Sequence, residues 1–203
     1  MSDPRLDRLL EHPAIWRGTG AARAASVATG FPELDARLPG GGWPQVGLVE
    51  ILIPEFGVGE LSLLLPALGA LSRQTAARWC VCIAPPFELF APALTAHGLD
   101  LERLLVVRTE APLWPSEQTL RSGACDAVLA FMRRIQTRAL RRLQLAAEQG
   151  RTLGFLLRTL SARTLQEPSC ALLRLAVQPL EAGVRITLLK SRGGRRSSLE
   201  LAL

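Results

Sequence analysis

The chain has 203 residues, a formal net charge of +6 and 48% hydrophobic residues. This length suffices for one domain with a sizeable core, and no apolar run reaches the roughly 18 residues that a membrane span needs. The first residues, MSDPRLDRLLEH, alternate in charge and contain no long apolar segment, so we expect no secretory signal. A cytoplasmic protein with no membrane partner is therefore expected.

Residues 1–28 are predicted to form an amino-terminal arm, a short helix followed by a linker. Leu6, Leu9 and Leu10 lie at helical spacing, and PAIWRGTGAARAAS then indicates a linker. Such a short apolar stripe does not stay helical alone in water, so it needs a surface to cover. Trp16, in the linker, either folds back on the core or anchors in a partner. We therefore predict that Leu6, Leu9, Leu10 and Trp16 are partner-binding residues.

Residues 29–203 are predicted to form one α/β domain, in which strands alternate with helices. GFPELDARLPGGGWPQ predicts a short helix ended by glycines, GLVEILI a strand, and residues 59–70 a buried helix. Further strands are predicted in ARWCVCIAP, LERLLVV, CDAVLAFM and TLGFLLR, separated by helices in FELFAPALTAHG, EQTLRSGA and TRALRRLQLAAEQ. Such alternation is typical of a central, mostly parallel sheet. The last part, with a turn at Glu181-Ala182-Gly183, predicts an antiparallel C-terminal extension.

The turn after GLVEILI has the layout of a phosphate-binding loop. Gly57 and Gly59 precede an apolar helix, but Glu60 and Leu61 stand where such a loop has lysine and then serine or threonine. A carboxylate at about 5 Å from a phosphate charge replaces an attraction of roughly 3 kcal/mol by a similar repulsion, at an effective dielectric near 20. Leu61 cannot bind Mg²⁺. We therefore predict a degenerate loop without a nucleotide or other cofactor.

The cysteines and histidines do not form a catalytic or metal-binding pattern. Cys80 and Cys82 would share one face of a strand, but no second pair with metal-ligand spacing accompanies them. We interpret the four cysteines as structural thiols and predict no metal site. His12 and His97 have no matching carboxylate or serine constellation, so we predict no catalytic residues.

Arginine supplies nearly all of the positive charge, because Lys190 is the only lysine. The planar guanidinium binds phosphates and carboxylates bidentately. Five arginines flank or lie on the helix after Phe131, and we interpret them as a solvated helix face in preference to a DNA contact: Arg133, Arg134, Arg138, Arg141 and Arg142.

A second basic cluster surrounds a glycine pair in the tail LLKSRGGRRSSLE. It contains Lys190, Arg192, Arg195 and Arg196, which are candidates for a non-specific nucleic-acid contact. Few aromatic residues accompany them, so stacking on single-stranded bases has little support. An acidic partner surface and solubility remain equal alternatives.

Three segments resemble the core of the RecA ATPase: ATGFPELDARLPGGGWPQVGLVEIL, CIAPPFELFAPALTAHGLDLERLLVV and RSGACDAVLAF. The resemblance covers most of the chain from about residue 28 and implies a RecA-like, P-loop-NTPase-type core. Glu60 and Leu61 replace the P-loop lysine and threonine. Pro86 and Phe131 stand where RecA has its catalytic glutamate and its magnesium-site aspartate. The resemblance therefore implies a protein that is not an enzyme.

The combination of HPAIWRG, TGFPELDARLPGGGWPQVGLVEIL and GVGELSLLLPAL resembles the ImuA family, RecA-like proteins that lack the ATPase residues. This resemblance implies a non-catalytic accessory protein of SOS-induced translesion DNA synthesis, a process of DNA repair and mutagenesis. It would bind ImuB and, through ImuB, an error-prone C-family DNA polymerase. RecA, DNA and a second copy of the chain are further candidate partners. The family is also related to SulA, the SOS cell-division inhibitor that binds the septum protein FtsZ, and division inhibition is the alternative function.

Overall fold

The computed structural model describes residues 25–191 and 196–203. The predicted arm residues Leu6, Leu9, Leu10 and Trp16 lie outside the described residues, as do Arg192 and Arg195. Their roles, and the boundary at residue 28, therefore stay predictions. No helix in the described part is long and apolar enough to cross a membrane.

In the described residues, a main sheet of eight strands carries the fold, and a separate pair of two-residue strands precedes it. The small pair consists of β1 (Ser26–Val27) and β2 (Trp43–Pro44). The strands of the main sheet are β3 (Gly47–Ile53), β4 (Trp79–Ile83), β5 (Leu104–Val107), β6 (Cys125–Phe131), β7 (Leu153–Thr159), β8 (Leu173–Leu180), β9 (Gly183–Ser191) and β10 (Ser197–Leu201). The helices are α1 (Pro32–Asp35), α2 (Glu60–Ser72), α3 (Ala91–Ala96), α4 (Leu113–Arg121), α5 (Thr137–Gly150) and α6 (Ala162–Gln166), with a 3-10 turn at Leu101–Arg103.

The main sheet is mixed. Its strand order is β10-β9-β8-β3-β7-β6-β4-β5. The strands from β8 to β5 pair in parallel, whereas β9 and β10 pair antiparallel at one edge. The loops that follow β3, β4, β6 and β7 therefore meet at the carboxyl end of the parallel strands, which is the usual place for a binding site in such sheets.

Strand β3 lies in the middle of the sheet, and all seven of its residues are buried. Helix α2 covers one face of the sheet through Leu63, Leu64 and Leu68. Helix α5 covers the other face through Leu140 and Leu143. A strand that is covered on both faces favours a continuous apolar sequence over an alternating one, which explains GLVEILI.

The cysteine side chains in the strands are part of this packing. Cys80 and Cys82 are buried in β4, and burial raises the pKa of each thiol to about 12. Their thiols are therefore protonated and unreactive at neutral pH. Among the described residues, no three histidine, cysteine, aspartate or glutamate side chains are arranged to hold a metal ion.

The expectation of a RecA-like, P-loop-NTPase-type core is wrong. The sheet is mixed, and two backbone N–H groups of the loop after β3 donate hydrogen bonds to the carboxylate of Glu60. A phosphate-binding core needs the backbone N–H groups of this loop for its ligand. Here the chain itself uses them.

Candidate functional site

The loop between β3 and α2 folds around the carboxylate of Glu60. Gly57 (φ 94°) and Gly59 (φ 100°) adopt left-handed conformations, which glycine reaches without strain. The Glu60 side chain accepts hydrogen bonds from the N–H of Gly57 at 2.8 Å and of Val58 at 2.9 Å, and Glu60 is only 3% exposed. Because these N–H groups would hold a phosphate in a working loop, the anion position is occupied by the chain's own glutamate.

Apolar packing surrounds the loop at the other positions that a nucleotide site would need. Leu61 packs against the core. Phe131, at the end of β6, contacts Phe56 edge-to-face, with 5.4 Å between the ring centroids. The guanidinium of Arg133 lies 5.5 Å from the centroid of the Phe56 ring, which is a cation–π contact. This arrangement suits contact with another protein better than nucleotide chemistry.

Exposed apolar side chains lie on this loop and in the segment that follows β4, and we call Gly57, Gly59, Phe87, Phe90 and Leu203 the glycine-loop surface. Phe87 and Phe90 follow β4 and are 61% and 70% exposed. A Cβ at Gly57 would lie 3.1 Å from the Phe87 ring, and a Cβ at Gly59 would lie 3.1 Å from Leu203. The two glycines therefore let Phe87 and Leu203 lie directly on the loop, and Phe87 also lines a cavity of about 190 Å³. Exposed aromatic groups of this kind are enriched in protein interfaces.

The candidate nucleic-acid residues lie at the opposite end of the sheet. Lys190 pairs in register with Arg174 near the start of β8. Its Nζ donates hydrogen bonds to the carbonyl oxygens of Ser169 at 2.6 Å and Ala171 at 2.9 Å, so the chain itself uses part of its donor capacity. Arg196 is exposed and directly precedes β10. Their contact with nucleic acid stays a prediction.

The sequence analysis did not predict a buried ionic cluster beside α6, which is formed by Glu50, Arg158, Glu167 and Arg174. Glu50 is fully buried in the middle of β3, and its carboxylate lies 2.5 Å from Arg158 Nη1 and 2.9 Å from Arg174 Nε. Arg158 also donates to Glu167 at 3.0 Å, and this hydrogen bond is the main reason why the pKa of Glu167 is lowered. The one available signal was a single glutamate inside an otherwise apolar strand.

Sequence comparison identifies the relatives of this chain. The family described as the MT3502 N-terminal domain matches residues 36–162. The cell division inhibitor SulA of Yersinia enterocolitica is 29% identical over 133 residues, which are 64% of this chain and 78% of that protein. SulA of Yersinia pestis (strain Pestoides F) is 31% identical over 132 residues, which are 61% and 77% of the two chains. The chain belongs to the MT3502 N-terminal domain family and to the SulA family.

Two further SulA comparisons come from Pseudomonas aeruginosa. Its SulA protein is 36% identical over 93 residues, which are 44% of this chain and 58% of that protein. The crystal structure of SulA from the same organism is similar at a TM-score of 0.47 and 31% identity, covering 55% of this chain and 97% of that chain.

Membership of the SulA family corrects several expectations. The assignment to the ImuA family is wrong, because the named relatives are SulA proteins. The same finding overturns the main functional expectation, an accessory role in translesion synthesis and mutagenesis. It also overturns the protein partners that this role implied, namely ImuB, the C-family polymerase and RecA, whereas a nucleic-acid contact of Lys190 and Arg196 stays a prediction. The alternative, division inhibition in the SOS response, is the one that the relatives support.

The expectation of a protein without enzymatic activity agrees with the relatives, which are named as inhibitors of cell division. Its original basis, the loss of ATPase residues from a RecA core, gains no support, because the core is not RecA-like.

Proposed function

We propose that this chain is a cytoplasmic, SOS-linked inhibitor of cell division that acts by binding the tubulin-like septum protein FtsZ. The observation that carries this proposal is the 31% identity to a SulA protein over 77% of the length of that relative. Such an inhibitor needs an exposed surface that recognises another protein, and it needs no catalytic site.

The glycine-loop surface has the properties of such a contact. Phe87 and Phe90 are largely exposed, and an aromatic side chain of this size can bury about 150–250 Å² in an interface. The N–H groups of Gly57 and Val58 already donate to Glu60. A partner can therefore cover the loop without leaving these donors unpaired, which would cost about 1–3 kcal/mol for each group.

Induced expression in a rod-shaped bacterium tests this function. We expect cells to grow into filaments without septa, because an inhibitor of FtsZ blocks division and leaves growth unaffected. The double variant Phe87→Ala/Phe90→Ala should restore division at an equal level of folded protein. Leu145→Ala is the matched control, because Leu145 is 54% exposed on α5 and lies outside the glycine-loop surface; it should still produce filaments.

Two results would contradict the proposal at different points. Normal division at a high level of folded wild-type chain would reject division inhibition. Filaments produced equally by the wild type and by the double variant would keep the function and exclude the glycine-loop surface as the contact.

A further inference from the structure

Four arginines line a groove at the carboxyl ends of β6 and β7, and we call it the arginine groove. They are Arg133 and Arg134, which follow β6, Arg158 near the end of β7, and Arg163 on α6. The groove has a volume of about 970 Å³, which is large enough for several side chains of a bound peptide. Among the described residues that line it, Glu167 is the only acidic one.

The positive charge of the groove is only partly balanced. The Arg158 side chain is 3% exposed and bonds both Glu50 and Glu167, while its Nε has no hydrogen-bond partner in the described part of the chain. Arg133 and Arg134 are exposed, and neither forms an ion pair with a described residue. Arg174 also pairs with Glu50. Five guanidinium groups therefore accompany the two carboxylates Glu50 and Glu167, and the region keeps an excess of three positive charges.

The amino-terminal end of α5 adds to this positive potential. Thr137, the first residue of α5, lines the groove. The preceding Gln136 makes no side-chain capping bond, and the first turn contains no acidic residue. The first N–H groups of this 14-residue helix therefore keep their partial positive charge, which favours an anion.

Two arginines of the groove bind a carboxylate of the chain itself. The Glu167 carboxylate accepts from Arg158 at 3.0 Å and from Arg163 at 3.2 Å. None of the described residues that line the groove is aromatic, so the described part offers no stacking platform of the kind that single-stranded nucleic acid uses. Carboxylates of a protein segment match these donors better than nucleic acid does.

The arginine groove also adjoins the glycine-loop surface. Arg133 lines the groove and lies over the ring of Phe56, which directly precedes Gly57. One partner can therefore contact the aromatic surface and the groove together.

We propose that the arginine groove binds aspartate or glutamate side chains in an acidic segment of the partner protein. This inference deepens the proposed function and rests on it, because the segment would belong to the inhibited division protein. Arg133 and Arg134 supply the bidentate contacts. The buried Arg158, which is held by Glu50 and Glu167, and the amino-terminal end of α5 add positive potential to the groove.

Calorimetry with the full chain and a polyglutamate peptide tests the groove. The wild type should bind the peptide saturably, and Arg133→Glu/Arg134→Glu should weaken binding at least about tenfold, because charge-assisted hydrogen bonds are lost. The control Arg103→Glu/Arg141→Glu changes the net charge equally at two exposed residues outside the groove and should keep the wild-type affinity. Arg133→Lys/Arg134→Lys keeps the charge but loses bidentate geometry. Its affinity for the peptide should therefore lie between that of the wild type and that of Arg133→Glu/Arg134→Glu.

Three results would overturn the inference. Equal loss in the control variant would mean a general attraction between charges. Wild-type affinity in both groove variants would place the contact elsewhere. A groove-dependent affinity for a single-stranded oligonucleotide, with none for the peptide, would make the groove a nucleic-acid site.

An FtsZ assembly assay with the wild-type chain separates this inference from the proposed function. Inhibition of assembly without any peptide binding would reject the groove and keep the function. Peptide binding through the groove without any effect on FtsZ would keep the chemistry of the groove and reject FtsZ as the source of the acidic segment.

Discussion

Replacing Glu50 by glutamine should destabilise the fold strongly, because Glu50 lies between two buried guanidinium groups. Its carboxylate is 0% exposed and lies 2.5 Å from Arg158 and 2.9 Å from Arg174, whose side chains are 3% and 7% exposed. Removing one partner of a buried ion pair costs about 3–5 kcal/mol, since the remaining charge stays buried. A domain has only about 5–15 kcal/mol of stability in total. The variant should therefore lose roughly a fifth or more of its free energy of unfolding.

Urea denaturation followed by tryptophan fluorescence measures this loss. The matched control is Glu200→Gln, which removes the same charge from the exposed pair with Arg185, whose side chains are 61% and 47% exposed. Exposed pairs contribute at most about 1 kcal/mol, so the control should unfold nearly as the wild type does. Equal destabilisation in the two variants would refute the conclusion that the buried ionic cluster stabilises the native sheet.

Three further predictions concern the site and the core. Glu167 has a lowered pKa, chiefly through its hydrogen bond from Arg158. It therefore adds stability above the ordinary glutamate pKa of about 4.5 that is lost as the pH falls through the lower folded value. Below about pH 4.5 the wild type should thus lose more stability in acid denaturation than Glu167→Gln does. Cys80 and Cys82, whose thiol pKa values are about 12, should react with a thiol reagent at pH 8 far more slowly in the native state than in urea; equal rates would contradict their burial. Glu60→Ala leaves two N–H groups of the glycine loop without their acceptor, so it should lower the free energy of unfolding by about 1–3 kcal/mol for each group that water does not reach. An unchanged melting temperature would show that water replaces the carboxylate at no cost.

The strongest local patterns predicted the elements best. The sequence GLVEILI predicted β3 residue for residue, because a strand buried on both faces has a nearly continuous apolar sequence, which only Glu50 interrupts here. Helix α6 was missed, since it has only five residues and depends on a capping box between Ser161 and Thr164. The paired strands β1 and β2 were missed too, because two residues are too few to show an alternation.

The candidate site was less predictable, because it depends on contacts between distant residues. Glu60 predicted a loop that repels phosphate, but the return of its carboxylate to the N–H groups depends on the backbone angles at Gly57 and Gly59. Glu50 and Arg158 are 108 positions apart, and periodicity carries no information about such a pair. The resemblance to ImuA rested on motifs around the strands and the glycine loop. Such local motifs do not by themselves determine a function or a partner.

Sedimentation of purified FtsZ polymers with increasing amounts of the purified chain tests division inhibition most directly. The proposed function predicts that the pelleted polymer decreases as the wild-type chain is added and stays constant with Phe87→Ala/Phe90→Ala. An unchanged amount of polymer at a molar excess of folded wild-type chain would contradict the proposal that this SulA-family protein acts on FtsZ.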